Sequence, residues 1–278
     1  WRGYRYLYDN QQTMVTVPGQ EPTKLTEDAV LSVSGTVIDL YYYLDSWKDG
    51  DTENPAGNDE KTGGDGTPDY KQILIEYKAH TPLVGQVSRE FEIQTLTDDQ
   101  KVATPTGATA TAKTDSVYAF AYWIKGKVNP EKTEAEIENT AICYKNQLTG
   151  VTINPVTGGG TYIYTAVFLK DVTGKIEDGK DKPDGIPDAW QCKVTFKVEN
   201  GSWNDNTNKD IVRYVTKKNA EGNSSTNGTA KLTTDQIPPV GNQPNSGYQT
   251  SGNWDKTPSA VEITKDTVFT YTYDKKAD

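Results

Sequence analysis

The chain has 278 residues, of which only 34% are hydrophobic, which favours several small domains over one large core. Its net charge is −10 and no more than two basic residues are adjacent, which excludes the concentrated positive patch that nucleic-acid binding requires. It contains no run of about 18 apolar residues, so we expect no membrane span in this segment.

The first 45 residues are predicted to form an N-terminal β piece that closes on an aromatic strand over residues 37–44. This piece is short for an independent core, and we interpret it as a truncated repeat of a longer chain. Residues 46–64 are rich in Gly, Asp, Glu and Lys and hold almost no aliphatic side chains. That composition predicts a linker.

A middle β domain is predicted over residues 65–171. It opens with Asp-Gly-Thr-Pro-Asp at 65–69 and continues into a strand that carries Ile73, Ile75 and Tyr77. Its only helical signal lies at 131–139, after Asn-Pro, and its last strand covers 162–169.

A second linker is predicted over 172–183 and a C-terminal β domain over 184–278. The opening motif recurs here as Asp-Gly-Ile-Pro-Asp at 184–188, 119 residues after its first copy. Alternating side chains follow it in the strand 194–198, and the last strand, 267–273, directs three aromatic residues to one face. The expected fold is therefore mainly β: tandem small β-sandwich or β-grasp-like domains in an elongated array, with at most one short helix.

The sequence offers little for catalysis. The single histidine, His80, would have to supply the base of any nucleophilic triad, but it lies where a strand meets Thr-Pro, and we expect an exposed loop residue. Two cysteines, Cys143 and Cys192, are too few for a disulfide framework and are expected to be unpaired. Among 39 acidic residues some carboxylate pairs meet by chance, so they do not indicate a hydrolase. We expect no enzymatic activity.

Two alternatives apply to the repeated DG(T/I)PD motif. It matches the second half of a calcium loop, with Asp65, Asp69, Asp184 and Asp188 as ligands. The earlier ligand positions hold lysine or glycine, so further oxygen atoms would have to come from nearby acids such as Asp45 and Asp171. The other alternative is a capped turn, in which Asp accepts backbone N–H groups, Gly takes a positive φ and Pro stiffens the start of the strand.

Four aromatic residues in turn-rich stretches are candidates for contact with a partner. Loop Trp and Tyr side chains are typical interface anchors, although in thin β domains they also cap the open ends of the core. These candidates are Trp123, Trp203, Tyr248 and Trp254.

The C-terminal domain carries a set of marks in order: the motif at 184–188, Asn-Gly-Ser-Trp at 200–203, Gly-Tyr at 247–248, Gly-Asn-Trp-Asp at 252–255 and the aromatic end at 271–275. With these marks it resembles the tandem β-repeats of Gram-positive, wall-anchored surface proteins of gut bacteria, including mucin-binding-protein-like and β-grasp-type stalk modules. The resemblance covers 184–275 best, 65–171 in part and 1–45 weakly.

The resemblance implies a bacterial cell-surface location and an adhesive or spacer role. We expect a segment that binds a host glycoprotein, such as immunoglobulin or mucin, as an adhesin or superantigen-like module. The first alternative is a passive stalk, and the second is an accessory domain of a glycan-active enzyme. No cofactor is expected except calcium at the linkers.

Overall fold

The computed structural model describes residues 5–8, 13–25, 34–47 and 65–277. Strand accounts for 44% of the structure and helix for 6%, which confirms the expected mainly β class. The strands form several small sheets rather than one large one. Small separate sheets are consistent with the low aliphatic content of the chain, because each encloses only a thin core.

The N-terminal residues contribute two small sheets. β1 pairs with β5, and β2 lies between β3 and β4, all antiparallel. The single aromatic strand expected over 37–44 is instead split between β4 and β5, which belong to different sheets. The strands are β1 (Arg5–Tyr8), β2 (Met14–Thr16), β3 (Thr23–Lys24), β4 (Val37–Asp39) and β5 (Tyr42–Asp45).

The middle strands form a five-stranded sheet in the order β11-β10-β13-β6-β8 and a three-stranded sheet in the order β12-β9-β7. β6 and β13 lie inside the five-stranded order and show near-continuous burial instead of alternation, as strands covered on both faces do. The strands are β6 (Gln72–Ala79), β7 (Gly85–Val87), β8 (Phe91–Thr95), β9 (Ala108–Ala112), β10 (Tyr118–Lys125), β11 (Ala141–Cys143), β12 (Gln147–Leu148) and β13 (Thr161–Lys170).

The helical signal at 131–139 produces one short helix, α1 (Glu134–Glu138). It begins after Thr133 rather than after Asn-Pro, because a capping box fixes that end. The Thr133 hydroxyl accepts from the Glu136 backbone N–H, and the Glu136 carboxylate accepts from the Thr133 backbone N–H. In the described part of the chain α1 is the one α-helix.

The C-terminal strands build a four-stranded sheet in the order β18-β16-β21-β20. Its two central strands are parallel, with Phe196 opposite Phe269, and its outer strands are antiparallel to them. The first and last strands of this sheet in sequence, β16 and β21, therefore lie side by side at its centre, as they do in a β-grasp-like fold. The helix of a β-grasp fold is replaced here by irregular chain. The remaining strands are β14 (Gly174–Glu177), β15 (Lys180–Pro183), β16 (Gln191–Glu199), β17 (Gly201–Ser202), β18 (Ile211–Thr216), β19 (Gln243–Pro244), β20 (Tyr248–Trp254) and β21 (Thr267–Lys275).

The alternation of apolar and polar residues in the sequence predicts the two central strands of this sheet correctly. Val194 and Phe196 are buried on β16, and Phe269, Tyr271 and Tyr273 are buried on β21. Their neighbours in sequence are more exposed. Val194, Phe196 and Phe269 meet Trp203 and Ile263 in one core cluster.

The expected linker at 172–183 is a β-hairpin, not an irregular segment. β14 and β15 pair from Gly174 opposite Pro183 to Glu177 opposite Lys180. Asp178 and Gly179 form its turn with φ of +50° and +72°, as a two-residue hairpin loop requires. Most of the other expected linker, residues 48–64, lies outside the described residues.

The chain divides into two compact units. One comprises residues 1–77, 89–108 and 148–164, and the other comprises residues 78–88, 109–147 and 165–278. β6 and β13 each begin in the first unit and end in the second. Each copy of the DG(T/I)PD motif, with the residues that bond to it, lies within a single unit.

Candidate functional site

Both copies of the DG(T/I)PD motif carry the same hydrogen-bond network, which we call a joint. Each joint combines an aspartate at the end of the preceding strand region, the two aspartates of the motif and a glutamine that opens the next strand. The first joint contains Asp45, Asp65, Asp69 and Gln72, and the second contains Asp171, Asp184, Asp188 and Gln191.

The strand-end aspartate accepts backbone N–H groups of the Asp-Gly turn. Asp45 Oδ2 accepts from Gly66 N at 3.0 Å, and Asp171 accepts from Asp184 N at 3.1 Å and Gly185 N at 2.8 Å. Both carboxylates are buried. Burial raises the pKa of Asp171, while the two N–H donors act in the opposite direction.

The first aspartate of the motif caps its own turn. Asp65 Oδ1 accepts from Thr67 N at 2.9 Å, and Asp184 Oδ1 accepts from Ile186 N at 3.0 Å. The glutamine seven positions later donates to the other carboxylate oxygen at 2.8 Å in both copies. The glycine after each aspartate has a φ of +93° or +89°, which explains why a side chain is avoided there.

The second aspartate of the motif holds the chain that leaves the preceding strand. Asp69 accepts from the backbone N–H groups of Ser46 and Trp47 and from the Ser46 hydroxyl at 2.6 Å. Asp188 accepts from both backbone N–H groups at 172–173 and from the hydroxyl of the second residue. Each joint therefore ties the end of one strand region to the start of the next through carboxylate bonds to main chain.

The four aspartates proposed as calcium ligands have the geometry of the capped-turn alternative. Their oxygen atoms already accept N–H or O–H groups in both joints, and the expected helpers, Asp45 and Asp171, do so too. Within the described ranges, no group of three or more His, Cys, Asp or Glu side chains has the arrangement of a metal site. Calcium at the linkers stays a prediction.

Two of the four aromatic candidates are not surface residues. Trp123 and Trp203 are 0% and 1% exposed, respectively. Each indole N–H donates to a backbone carbonyl, from Trp123 to Asn146 at 3.1 Å and from Trp203 to Lys209 at 2.9 Å. Because the one polar atom of the ring has a partner, the whole side chain can be buried at low cost.

The other two aromatic candidates are half-buried. Tyr248 opens the strand β20, and Trp254 ends it. The Trp254 ring packs edge-on against Phe196 and Tyr271 at centroid distances of 5.9 and 5.4 Å. Trp254 thus covers the end of the C-terminal core, and only part of its ring faces solvent.

His80 is half-buried, not the exposed loop residue that was expected. Its backbone N–H donates to Ala166 O at 2.8 Å, and its Nδ1 accepts from Phe168 N at 3.1 Å. Burial lowers the pKa of His80. The ring is therefore held neutral with its proton on Nε2, and it completes the hydrogen bonding of a buried strand.

We expect His80 to make stability depend on pH. The pKa of His80 is lower in the folded chain than in the unfolded chain. As the pH falls below about 6.5, the unfolded chain therefore binds a proton on this imidazole that the folded chain does not, and the stability of the folded chain decreases. His80→Asn keeps an acceptor for Phe168 N–H and should flatten the pH dependence of urea unfolding between pH 7 and 5. His80→Ala should cost about 1–3 kcal/mol at pH 7, because that N–H loses its acceptor. An unchanged pH profile in His80→Asn would contradict this assignment.

Both cysteines are free in the structure. Cys192 is buried, and burial raises the pKa of its thiol, so it is a poor nucleophile. Cys143 is partly exposed, and its Sγ donates to Lys145 O at 3.4 Å.

Sequence reasoning missed a polar cleft of about 490 Å³ between the α1–β11 segment and residues 219–227. At its base Glu138, 3% exposed, accepts from Thr226 N at 3.0 Å. Tyr144 O–H donates to the same carboxylate at 3.5 Å. Burial and the charge of Glu138 raise the pKa of Tyr144 to about 12. No periodicity or motif marks this cleft, because its walls come from distant parts of the chain.

No protein-family model, curated protein or solved structure matches this chain. The resemblance to wall-anchored surface repeats therefore rests on the motif residues alone. In the part of the chain that the structure describes, the helices are all too short or too polar to cross a membrane.

Proposed function

We propose that this chain is a non-catalytic spacer segment of an extracellular surface protein, in which the joints hold successive β domains in fixed orientation. The observation that supports this role is the duplicated network of the two joints, in which three carboxylates bond to main chain on both sides of each junction. Main-chain bonds fix backbone direction, which is what a spacer requires and what a flexible linker lacks. The surface location rests on the resemblance of residues 184–275.

The second joint has apolar support in addition. Trp190, 7% exposed, packs against Tyr122, Val167 and Leu169 from the middle strands. Beside it the hairpin contacts the C-terminal sheet, where Asp181 accepts from the Tyr214 hydroxyl at 2.6 Å. Buried contacts of this kind oppose hinge motion at a domain junction. Recognition of immunoglobulin or mucin stays a prediction of the resemblance.

The spacer role can be tested by releasing the second joint. Asp188→Ala removes the acceptor for two backbone N–H groups and one hydroxyl. We expect it to cost about 1–3 kcal/mol and to broaden the distance distribution between spin labels placed at Lys113 and Lys265, with faster proteolysis within 172–183.

Asp210→Ala is the matched control, because this exposed carboxylate only faces Lys197 at 3.6 Å. It should change stability by less than about 0.5 kcal/mol and leave the distances narrow. A distribution in Asp188→Ala as narrow as that of the parent chain would show that the joint does not set orientation.

A further inference from the structure

The polar cleft has an acidic lining. Of the described residues that line it, Glu138 and Glu221 are the acidic ones, and none is lysine or arginine. Lys217 lies outside the lining in a buried position, where its Nζ donates to Thr226 O at 2.7 Å. A lining that holds two carboxylates and no lysine or arginine favours a ligand with positive charge.

The rest of the lining suits a ligand with many hydrogen-bond donors. Asn139, Asn219 and Asn223 supply amide groups, and Tyr144 supplies an aromatic ring. Guanidinium and ammonium groups bind carboxylates through charge-assisted hydrogen bonds and also lie favourably against tyrosine rings. The lining therefore matches arginine or lysine side chains better than it matches an anion.

One wall of the cleft is an edge strand. β11 lies at the end of its sheet order and pairs with β10. Its residues Ala141 and Ile142 line the cleft, and Ile142 is 44% exposed. An edge strand offers main-chain groups to an added extended chain, and that favours a peptide over an isolated small cation.

We propose that the polar cleft is a docking site for an extended basic peptide segment of a partner protein, aligned along β11 with an arginine or lysine side chain directed at the exposed carboxylate of Glu221, beside the buried carboxylate of Glu138. The volume of about 490 Å³ accommodates more than one side chain. This binding activity goes beyond the spacer role, which does not depend on it.

The test uses the full chain and a blocked Gly-Arg-Gly-Arg-Gly peptide, followed by amide chemical shifts and calorimetry. We expect shifts at Ile142, Asn219 and Asn223, and affinity that falls as salt is raised. A peptide with citrulline in place of arginine should bind about tenfold more weakly, because it keeps the shape but loses the charge. Glu221→Gln should weaken binding about three- to fivefold.

Glu90→Gln is the matched control, since Glu90 is an exposed carboxylate that is not among the residues lining the cleft, and its substitution should leave affinity unchanged. Equal binding of the citrulline peptide, or shifts outside the cleft, would overturn the proposal. An N-acetylglucosamine trisaccharide provides a further test. If it shifted the cleft amide resonances equally in the parent chain and in Glu221→Gln, the proposal would also be overturned, because the cleft would then recognise neutral hydroxyl groups. Each of these results leaves the Asp188→Ala test of the joint unaffected.

Discussion

Trp190→Ala should cost about 3–5 kcal/mol of the free energy of unfolding, the range for truncation of a buried tryptophan. Trp190 is 7% exposed and packs among Tyr122, Val167 and Leu169, with the Tyr144 ring at a centroid distance of 6.2 Å. Its removal leaves a cavity at the second joint, so loss of stability should accompany looser orientation. Urea unfolding followed by circular dichroism measures the first effect.

Trp190→Phe provides the comparison for this prediction. The indole Nε1 of Trp190 is buried without a hydrogen-bond partner, and phenylalanine removes that polar group while it keeps most of the ring. We expect Trp190→Phe to lose less than half of what Trp190→Ala loses. Equal losses in the two variants would mean that ring packing does not support the joint.

Trp203→Ala should have an effect of the same size, about 3–5 kcal/mol, but confined to the C-terminal core. The side chain is 1% exposed, lies 6.3 Å from the Trp254 ring and bonds to Lys209 O. We expect the variant to lose stability. The distribution of distances between the two spin labels should not become broader at low temperature, because the second joint is intact. Chemical denaturation and the Lys113–Lys265 distance together check this.

Trp254→Ala is the control for Trp203→Ala. It belongs to the same cluster but is half-buried, and less apolar area is lost, so a cost of about 1–3 kcal/mol is expected. If Trp254→Ala were the more destabilising of the two, the assignment of Trp203 to the centre of the core would be wrong.

The strand pattern of this chain is predictable where one face alone is buried. Phe269, Tyr271 and Tyr273 are buried and alternate with neighbours that are more exposed, and this alternation identifies β21 directly. β6 and β13 lack this alternation because both faces are covered, so their place inside the sheet order could not be derived. The repeat of the motif correctly indicates that its two copies are structurally equivalent.

The errors at the candidate sites have identifiable causes. Gly and Asn beside Trp123 and Trp203 indicate turns in the backbone, but they do not report where a side chain points, and both indoles find backbone carbonyls inside the fold. The charged composition of 172–183 suggested a linker, although Asp178-Gly179 is a hairpin signal that could have been recognised. The polar cleft joins residues 75 or more positions apart, as in the bond from Thr226 to Glu138, and no local pattern encodes that.

The joints also determine where this chain tolerates insertions. Twenty positions separate Asp45 from Asp65, but thirteen separate Asp171 from Asp184, and the same network closes in both copies. Because the carboxylates bind main chain at the two ends, the intervening segment can change in length and composition at small entropic cost. We expect a foreign peptide inserted at the Asp178-Gly179 turn to be displayed at a junction without disturbing the domains beside it. Each junction is thus a natural position for new sequence to be acquired.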